Sequence, residues 1–232
     1  MLNIKNLSIW YKKEKNIIEN GNFSIDSNCI IGLLGINGAG KTTLMNTISG
    51  IHTKFEAEEI NSNGKEVSFS QDEFRRMRYT VFTDEQAFKY WTFAEYKNYI
   101  EKVYKKKMEK EYLQYLVEGF QFGDYQNQYI QNLSTGNKKK VFLIAGFALQ
   151  LPLLILDEPL DGLDFAAAEF LYQLLPQHKK YGSVLMSSHI AESFERTCDK
   201  ILLLNKGKLT TKMVSDNMDI RKELKEWLHE GK

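Results

Sequence analysis

The chain reads Gly35-Ile36-Asn37-Gly38-Ala39-Gly40-Lys41-Thr42 directly after the apolar stretch 29–34. This run matches the pattern G-x-x-x-x-G-K-[ST], in which successive backbone N–H groups turn inward around phosphate oxygens. Glycine is needed there because a Cβ would clash or forbid the backbone angles. Lys41 adds a mobile positive charge near the β- and γ-phosphates, and the Thr42 hydroxyl is placed to ligate Mg²⁺. The run is therefore predicted to be a phosphate-binding loop.

The sequence on both sides of the loop has the organisation that the motif requires. Residues 29–34 have the composition of a buried strand, and the apolar spacing of residues 43–48 predicts a helix from Lys41 to about Gly50. The N-terminal dipole of such a helix favours an anion. A glycine-rich turn without a ligand is the alternative, which is disfavoured because every fixed position of the motif is filled. The residues predicted here to bind nucleotide are Gly35, Asn37, Gly38, Ala39, Gly40, Lys41, Thr42 and Thr43.

Length and charge narrow the class of protein. With 232 residues, the chain is long enough for one good-sized core. The 31 basic and 30 acidic residues nearly balance, so charge offers no argument for binding nucleic acid or an anionic membrane. No apolar stretch has the length of a membrane span, and residues 1–10 do not have the pattern of a signal peptide. We expect a cytosolic globular protein that does not bind nucleic acid.

Two segments before residue 130 have residue patterns that predict different secondary structure. Residues 2–10 and 22–34 carry β-branched and aromatic residues around a polar turn at 12–16, which predicts antiparallel strands leading into the loop. Residues 79–129 hold about half of the aromatic residues, interleaved with Lys, Glu and Gln, and predict an inserted helical region. The positions expected to share a helix face are Phe93, Tyr96, Ile100, Val103 and Tyr104, followed by Leu113, Leu116, Val117 and Phe120.

After residue 136, predicted helices and strands alternate. This alternation is typical of a parallel sheet covered by helices. The predicted helices are 138–150 and 165–177, and the predicted strands are 153–156, 183–186 and 201–204. The tail 215–232 has a helix-like pattern of unassigned role.

The apolar strand 153–156 ends in two adjacent carboxylates, Asp157 and Glu158. In a parallel α/β sheet, the carboxyl ends of the strands face the ligand crevice. Asp157 is therefore predicted to meet the Mg²⁺ that Thr42 ligates, and Glu158 to hold and polarise an attacking water as general base. The alternative, a pair of solvated acids at a strand end, is disfavoured by the loop upstream.

A single histidine, His189, follows the next apolar strand through two serines. Alone, such a histidine is as typical of a hydrogen-bonded surface or core residue as of a functional one. At the carboxyl end of the strand beside the acidic one, it can donate to a γ-phosphate and respond to its presence. Glu158, His189 and Lys41 are the candidate catalytic residues.

A further segment, Leu133-Ser134-Thr135-Gly136-Asn137, resembles the signature LSGGQ, with Thr for the first Gly and Asn for Gln. By itself it is also typical of a plain helix cap. Together with the loop and the acidic strand, it makes residues 1 to about 210 similar to the ATP-binding subunit of an ABC transporter. The resemblance implies an α/β P-loop NTPase fold of ABC ATPase type. That fold has a mixed core sheet, an N-terminal antiparallel β-subdomain and an inserted helical subdomain.

The resemblance also implies domain boundaries and a shared site. It divides a single domain into a nucleotide-binding core of 1–78 and 137–210, a helical signature subdomain of about 79–136, and a helical tail of 211–232. In the family, Ser134 and Gly136 would close over the γ-phosphate of ATP held by a second subunit, in a homodimer or a sister heterodimer. Asp164 would belong to the loop that crosses this interface. Tyr11 would stack on adenine, with Trp10 a lesser candidate.

One family element departs from its pattern. The family usually has a glutamine that contacts Mg²⁺ or water, whereas aligning this chain on Thr92 and Glu95 puts Thr83 at that position. We assign the metal-ligand role to Gln86, because its amide can serve both metal and water. Asp84 and Glu85 are the replacements.

Function follows from the resemblance as an expectation. The chain would hydrolyse ATP with Mg²⁺ and drive a separate polytopic permease from the inner face of the cell membrane. The signature variant is similar to exporters of the ABC-2 kind, which move peptides, antibiotics or polymers. The helical region could supply a groove for a permease helix. The alternatives are a soluble ATPase that remodels nucleic acid or protein complexes, and a regulatory module that binds nucleotide without hydrolysis.

Overall fold

The computed structural model describes residues 2–83, 87–214 and 220. Its strands form two sheets, and seven α-helices lie within the described ranges. The helices are α1 (Lys41–Ile48), α2 (Asp72–Arg76), α3 (Phe93–Tyr104), α4 (Lys110–Gly119), α5 (Thr135–Ala148), α6 (Phe165–His178) and α7 (Ala191–Thr197). Gln86, Asp84 and Glu85 lie outside the described residues, as do 215–219 and 221–232 of the predicted helical tail. Residues 211–213, which were also assigned to that tail, belong instead to a strand.

The N-terminal sheet is antiparallel. It contains β1 (Leu2–Lys12), β2 (Lys15–Ile25), β4 (Phe55–Glu56), β5 (Glu59–Ser62) and β6 (Lys65–Glu66), in the order β2-β1-β5-β6 with β4 on β1. The predicted hairpin around residues 12–16 is confirmed. Residues 22–34 divide between the two sheets, because the chain turns after Ile25, with Asn28 in the left-handed region, before it enters the other sheet as β3 (Ile30–Leu34).

The second sheet has the order β11-β10-β3-β9-β8-β7. Its strands are β3 (Ile30–Leu34), β7 (Arg78–Val81), β8 (Leu153–Leu156), β9 (Ser183–Ser187), β10 (Lys200–Asn205) and β11 (Lys208–Met213). All neighbours pair in parallel except β11, which is an antiparallel edge strand. The alternation of helices and parallel strands predicted after residue 136 is confirmed.

This sheet separates two hydrophobic cores. Successive side chains of a strand point to opposite faces, so Ile30 and Leu34 of β3 join the core under α5 and α6, whereas Ile31 and Leu33 join the core under α1 and the N-terminal sheet. Helix α5 is buried from Lys139 to Ala148. It begins at Thr135, three residues before its predicted start at 138, because the Ser134 hydroxyl accepts the N–H of Asn137 and caps it.

Two details of the helical region differ from prediction. Residues 79–81 were expected to open the helical subdomain, but they belong to β7, which pairs with β8 in the core sheet. On α3, Phe93, Tyr96 and Ile100 are buried as predicted, whereas Val103 is 42% exposed. Val103 lies in the last turn at the edge of the apolar stripe, where helix geometry rotates it away from the core.

No helix in the described part of the chain combines the length and the apolar character needed to cross a membrane.

We expect Gly32→Ala to destabilise the protein by about 1–3 kcal/mol, because overpacking a filled core forces neighbouring atoms to move. A Cβ at this position of β3 would lie 2.3 Å from the Phe194 ring of α7. Gly123→Ala is the matched control, since a Cβ there meets no atom within 4 Å. Urea denaturation of the two variants measures the difference. Equal stability of both variants would contradict the packing of α7 on β3.

Candidate nucleotide site

Three neighbouring strands end at one edge of the core sheet. Strands β3, β9 and β8 are adjacent and parallel, so the segments that follow them emerge side by side. The loop 35–42 follows β3, His189 follows β9, and Asp157 and Glu158 follow β8. The expected position of His189, beside the acidic strand, is confirmed by the pairing of β8 with β9.

The loop after β3 leads into the N-terminus of α1. Gly40 precedes the helix with a φ of 111°, a backbone angle that is strained for residues with a side chain. A Cβ at this position would lie 2.4 Å from the Ile17 side chain. The first turn of α1 contains no acidic residue, and no side chain caps it. Its N–H groups are thus directed at the loop, where the helix dipole favours an anion.

Lys41 is buried and turned back on its own loop. Its Nζ donates to the carbonyl oxygen of Gly35 at 2.8 Å and lies 3.5 Å from that of Ile36. Phosphate oxygens are stronger acceptors than these carbonyls because they are charged. The lysine could exchange these loop contacts for a phosphate, and its role in binding nucleotide stays a prediction.

A cavity of about 650 Å³ lies beside this loop. That volume falls within the range of small-molecule sites. Tyr11 lies at its wall with 57% of its surface exposed, and its hydroxyl is 3.1 Å from Oγ1 of Thr43. Its ring packs edge-on against His52 at 5.0 Å, which leaves a face for a base. Ile17 and Lys206 also line the cavity, and no motif in the sequence marks them.

Asp157 is a buried carboxylate with one oxygen in use. Its Oδ1 accepts the Ser187 hydroxyl at 2.6 Å, whereas Oδ2 has no hydrogen-bond partner among the described residues. A buried carboxylate oxygen without a partner is costly unless a cation or ordered water completes it. Carboxylate and hydroxyl oxygens are the donors that Mg²⁺ prefers. The donor set of Asp157 and the exposed Thr42 therefore fits Mg²⁺.

Glu158 is held from several sides in a strained conformation. Its φ of 47° lies in the left-handed region, which costs energy for any residue except glycine. Its N–H donates to the Ser187 hydroxyl at 2.9 Å. Its Oε2 accepts the His189 N–H at 3.1 Å and lies 3.0 Å from Nδ1 of the His189 ring.

Ser187 was not singled out from the sequence. Its one hydroxyl donates to the Asp157 carboxylate and accepts from the backbone N–H of Glu158, so it fixes the Asp157 side chain relative to the Glu158 backbone. The available signal was a hydroxyl at the last position of an apolar strand, two residues before His189. Such a residue reads as a spacer unless the parallel pairing of β8 and β9 is known.

The remaining predicted residues lie around the same edge or at helix N-termini. Thr83, at the aligned sensor position, donates its hydroxyl to the carbonyl oxygen of Asp157 at 3.3 Å. Ser134 is exposed at the start of α5, one residue before the helix, and Gly136 lies in its first turn.

Asp164 has a structural role within this subunit. One of its carboxylate oxygens caps α6 through the N–H of Ala167 at 2.9 Å, and the other contacts Nζ of Lys140 at 2.7 Å. The Lys140 ammonium and this cap hold the pKa of the Asp164 carboxyl below its ordinary value. The nucleotide contact predicted for Asp164 would have to be shared with these partners.

The comparison with protein families agrees with this geometry. A family model described as ABC transporter matches residues 18–161, which include the loop, the signature segment and both carboxylates. The chain belongs to the ABC transporter family. As a member of that family it is an ATP-binding subunit and an ATPase.

Individual ABC relatives cover nearly the whole chain. The putative ABC transporter ATP-binding protein AlbC of Bacillus subtilis is 32% identical over 96% of this chain and 96% of its own. The ABC-type transporter ATP-binding protein EcsA of the same organism is 33% identical over 90% of this chain and 85% of its own. A solved ATP-binding subunit of an ABC transporter superposes with a TM-score of 0.84 at 26% identity, covering 100% and 98% of the chains.

We expect Ser187→Ala to lower the turnover of this ABC ATPase by roughly 10- to 100-fold, because small misplacements of catalytic groups have effects of that size. The change removes one hydrogen bond from the Asp157 carboxylate and one from the backbone N–H of Glu158. Ser183→Ala is the matched control, since Ser183 lies at the opposite end of β9 and bonds the Asp26 carbonyl oxygen instead. Steady-state phosphate release measures both variants. Equal turnover in the two would contradict the positioning role of Ser187.

Proposed function

We propose that this chain hydrolyses ATP by in-line attack of a water that Glu158 orients, and that hydrolysis drives transport through a separate polytopic permease. The observation that carries the proposal is the arrangement of Asp157 and Glu158 around the Ser187 hydroxyl. These residues lie at the edge of the sheet where β3 ends and the loop 35–42 begins. A carboxylate braced at this edge is suited to hold water in line with a terminal phosphate.

The steps of hydrolysis can be assigned to residues. Backbone N–H groups of 36–42 and the Lys41 ammonium hold the phosphates and their developing charge. Thr42 and Asp157 would hold Mg²⁺, which neutralises phosphate charge when bound. Glu158 accepts the proton of the attacking water. His189 donates to Glu158 through its N–H, and its ring lies beside the same carboxylate oxygen, which keeps that oxygen oriented.

The site is completed by a second subunit. Ser134 is exposed at the N-terminus of α5, where a hydroxyl and free N–H groups form an anion site. We propose that Ser134 and Gly136 bind the γ-phosphate held by another copy of this chain, or by a sister subunit that carries the same segments. Loss of that phosphate removes the contacts across the interface, so the two subunits separate. This is how hydrolysis would produce motion.

The permease is proposed to dock in a second cavity. A groove of about 370 Å³ lies between the end of α1, strand β7 and helix α3. Ile51, Phe82 and Tyr104 supply apolar surface, and Arg75 supplies charge at the rim. Apolar grooves with a polar rim accept an amphipathic helix. Occupation of this groove would place the chain at the inner face of the membrane.

The transported substrate is proposed from the signature segment alone, in a chain whose relatives are named ATP-binding proteins of ABC transporters. The sequence Leu133 to Asn137 followed by lysines is similar to exporters of the ABC-2 kind. A relative spanning almost the whole chain is named a putative ABC transporter ATP-binding protein. Export of a peptide, an antibiotic or a similar compound is the function that we propose on this basis.

We expect Glu158→Gln to abolish turnover and to preserve ATP binding, because the amide cannot accept the proton of the attacking water. The variant should accumulate as an ATP-dependent dimer in size-exclusion chromatography. Glu66→Gln, an exposed acid on β6 of the other sheet, is the control and should hydrolyse ATP normally. Ordinary hydrolysis by Glu158→Gln would rule out the base assignment.

Docking of the permease can be tested by charge reversal at the groove. We expect the tagged chain to co-purify with a polytopic protein from detergent-solubilised membranes, and Arg75→Glu to reduce its recovery. Arg76→Glu is the control, because it lies on the same helix and does not line the groove. Equal recovery with the two variants would contradict docking at this groove. Absence of any polytopic protein would favour a soluble ATPase.

A further inference from the structure

Lys139 is a buried lysine in the first half of α5. Only 5% of its surface is exposed. Its Nζ lies 3.4 Å from the carbonyl oxygen of Phe82, 3.3 Å from that of Thr83 and 3.2 Å from that of Glu158, with hydrogen-bonding geometry to all three. An ammonium has three N–H donors, and these three carbonyls are among the groups that it contacts.

The position of these carbonyls is informative. Phe82 and Thr83 begin the segment after β7, and Glu158 lies in the turn after β8. A lysine is almost never fully buried without partners, because taking its charge out of water is costly. Here, the cost is offset by carbonyl dipoles from the two segments that carry the aligned sensor position and the proposed base.

The contact to Glu158 falls on a strained residue. A non-glycine residue in the left-handed region persists only where its surroundings hold it. The Ser187 hydroxyl fixes the N–H of Glu158, while its carbonyl oxygen receives Lys139 and the N–H of Asp161 at 3.2 Å. Lys139 therefore brings support from α5 to the backbone of the proposed base.

The three lysines of α5 differ in their surroundings. Lys140 pairs with Asp164. Lys138 is half-buried, and its side chain forms no hydrogen bond or ion pair with any residue that the structure describes. Lys139 alone among these three contacts the catalytic edge. A lysine of this helix therefore contacts the catalytic edge only if its side chain points toward that edge. Its charge alone is not sufficient.

We propose that Lys139 is a positioning residue that joins the N-terminus of α5 to the backbone of Glu158. The inference rests on the proposed function. Engagement of Ser134 and Gly136 by a partner's nucleotide would then be transmitted through α5 to the base in the chain's own site. The two sites of the dimer are coupled through this lysine.

The test compares Lys139→Met with Lys138→Met. For Lys139→Met we expect kcat to fall on the order of 10- to 100-fold, with KM for ATP close to that of the unchanged chain. Coupled sites predict a Hill coefficient for ATP above 1 in the unchanged chain, and in Lys139→Met this coefficient should fall toward 1. In the Glu158→Gln background, the ATP concentration that half-saturates dimer formation should not change. Lys139→Arg keeps the charge and the donors, and should recover part of the turnover.

Three outcomes would contradict either the proposed role of Lys139 or that of Glu158. Turnover and Hill coefficient equal to those of Lys138→Met would overturn the inference and leave the proposed function intact. Loss of ATP-driven dimerisation in step with kcat would show a purely structural role, and also overturns it. Persistent hydrolysis by Glu158→Gln alone would instead refute the base assignment. If Lys139→Met does not fold by circular dichroism, Lys139→Arg and Lys139→Gln supply the same comparison of kcat, KM and Hill coefficient.

Discussion

The parallel pairing of β3, β9 and β8 is the constraint on which the site depends. It brings three segments far apart in sequence to one edge of the sheet: the loop 35–42, His189, and the pair Asp157 and Glu158. The strands themselves are fully buried, so only the residues just past their ends can meet a ligand. The topology of the sheet therefore places the candidate catalytic residues at this one edge.

Hydrogen bonds at this edge hold the acids in place. Ser187 bridges Asp157 and Glu158, and Lys139 supports the carbonyl side of Glu158 from α5. Residues in strained conformations remain so only when neighbours overdetermine them. The strain at Glu158 is therefore balanced by contacts from a neighbouring strand and from the helix that follows the signature segment. These contacts join the backbone of Glu158 to α5, whose N-terminus is capped by Ser134.

The sequence predicted the parts of the site that depend on local spacing. The loop after β3 and the carboxylates after β8 could be found because each motif is contiguous and directly follows an apolar strand. The start of α5 was placed too late because a cap depends on one hydroxyl, that of Ser134. Residues 79–81 look like the start of an aromatic helical region, and only pairing with β8 identifies them as a strand.

The residues that position the acids were not predictable in this way. Ser187 and Asp157 are 30 positions apart, and Lys139 and Glu158 are 19 apart, so no periodicity connects them. Their roles depend on strand order and on the direction in which one lysine of α5 points. Such long-range contacts can be recognised only when the complete fold is known.

The central claim is that the site at this edge is shared between two copies of the chain. It is tested by mixing purified Ser134→Arg and Glu158→Gln variants, each inactive alone, and measuring ATP hydrolysis. In a mixed dimer, one site pairs an intact Glu158 with an intact Ser134, so the account predicts that activity returns. A mixture as inactive as its two components would contradict it.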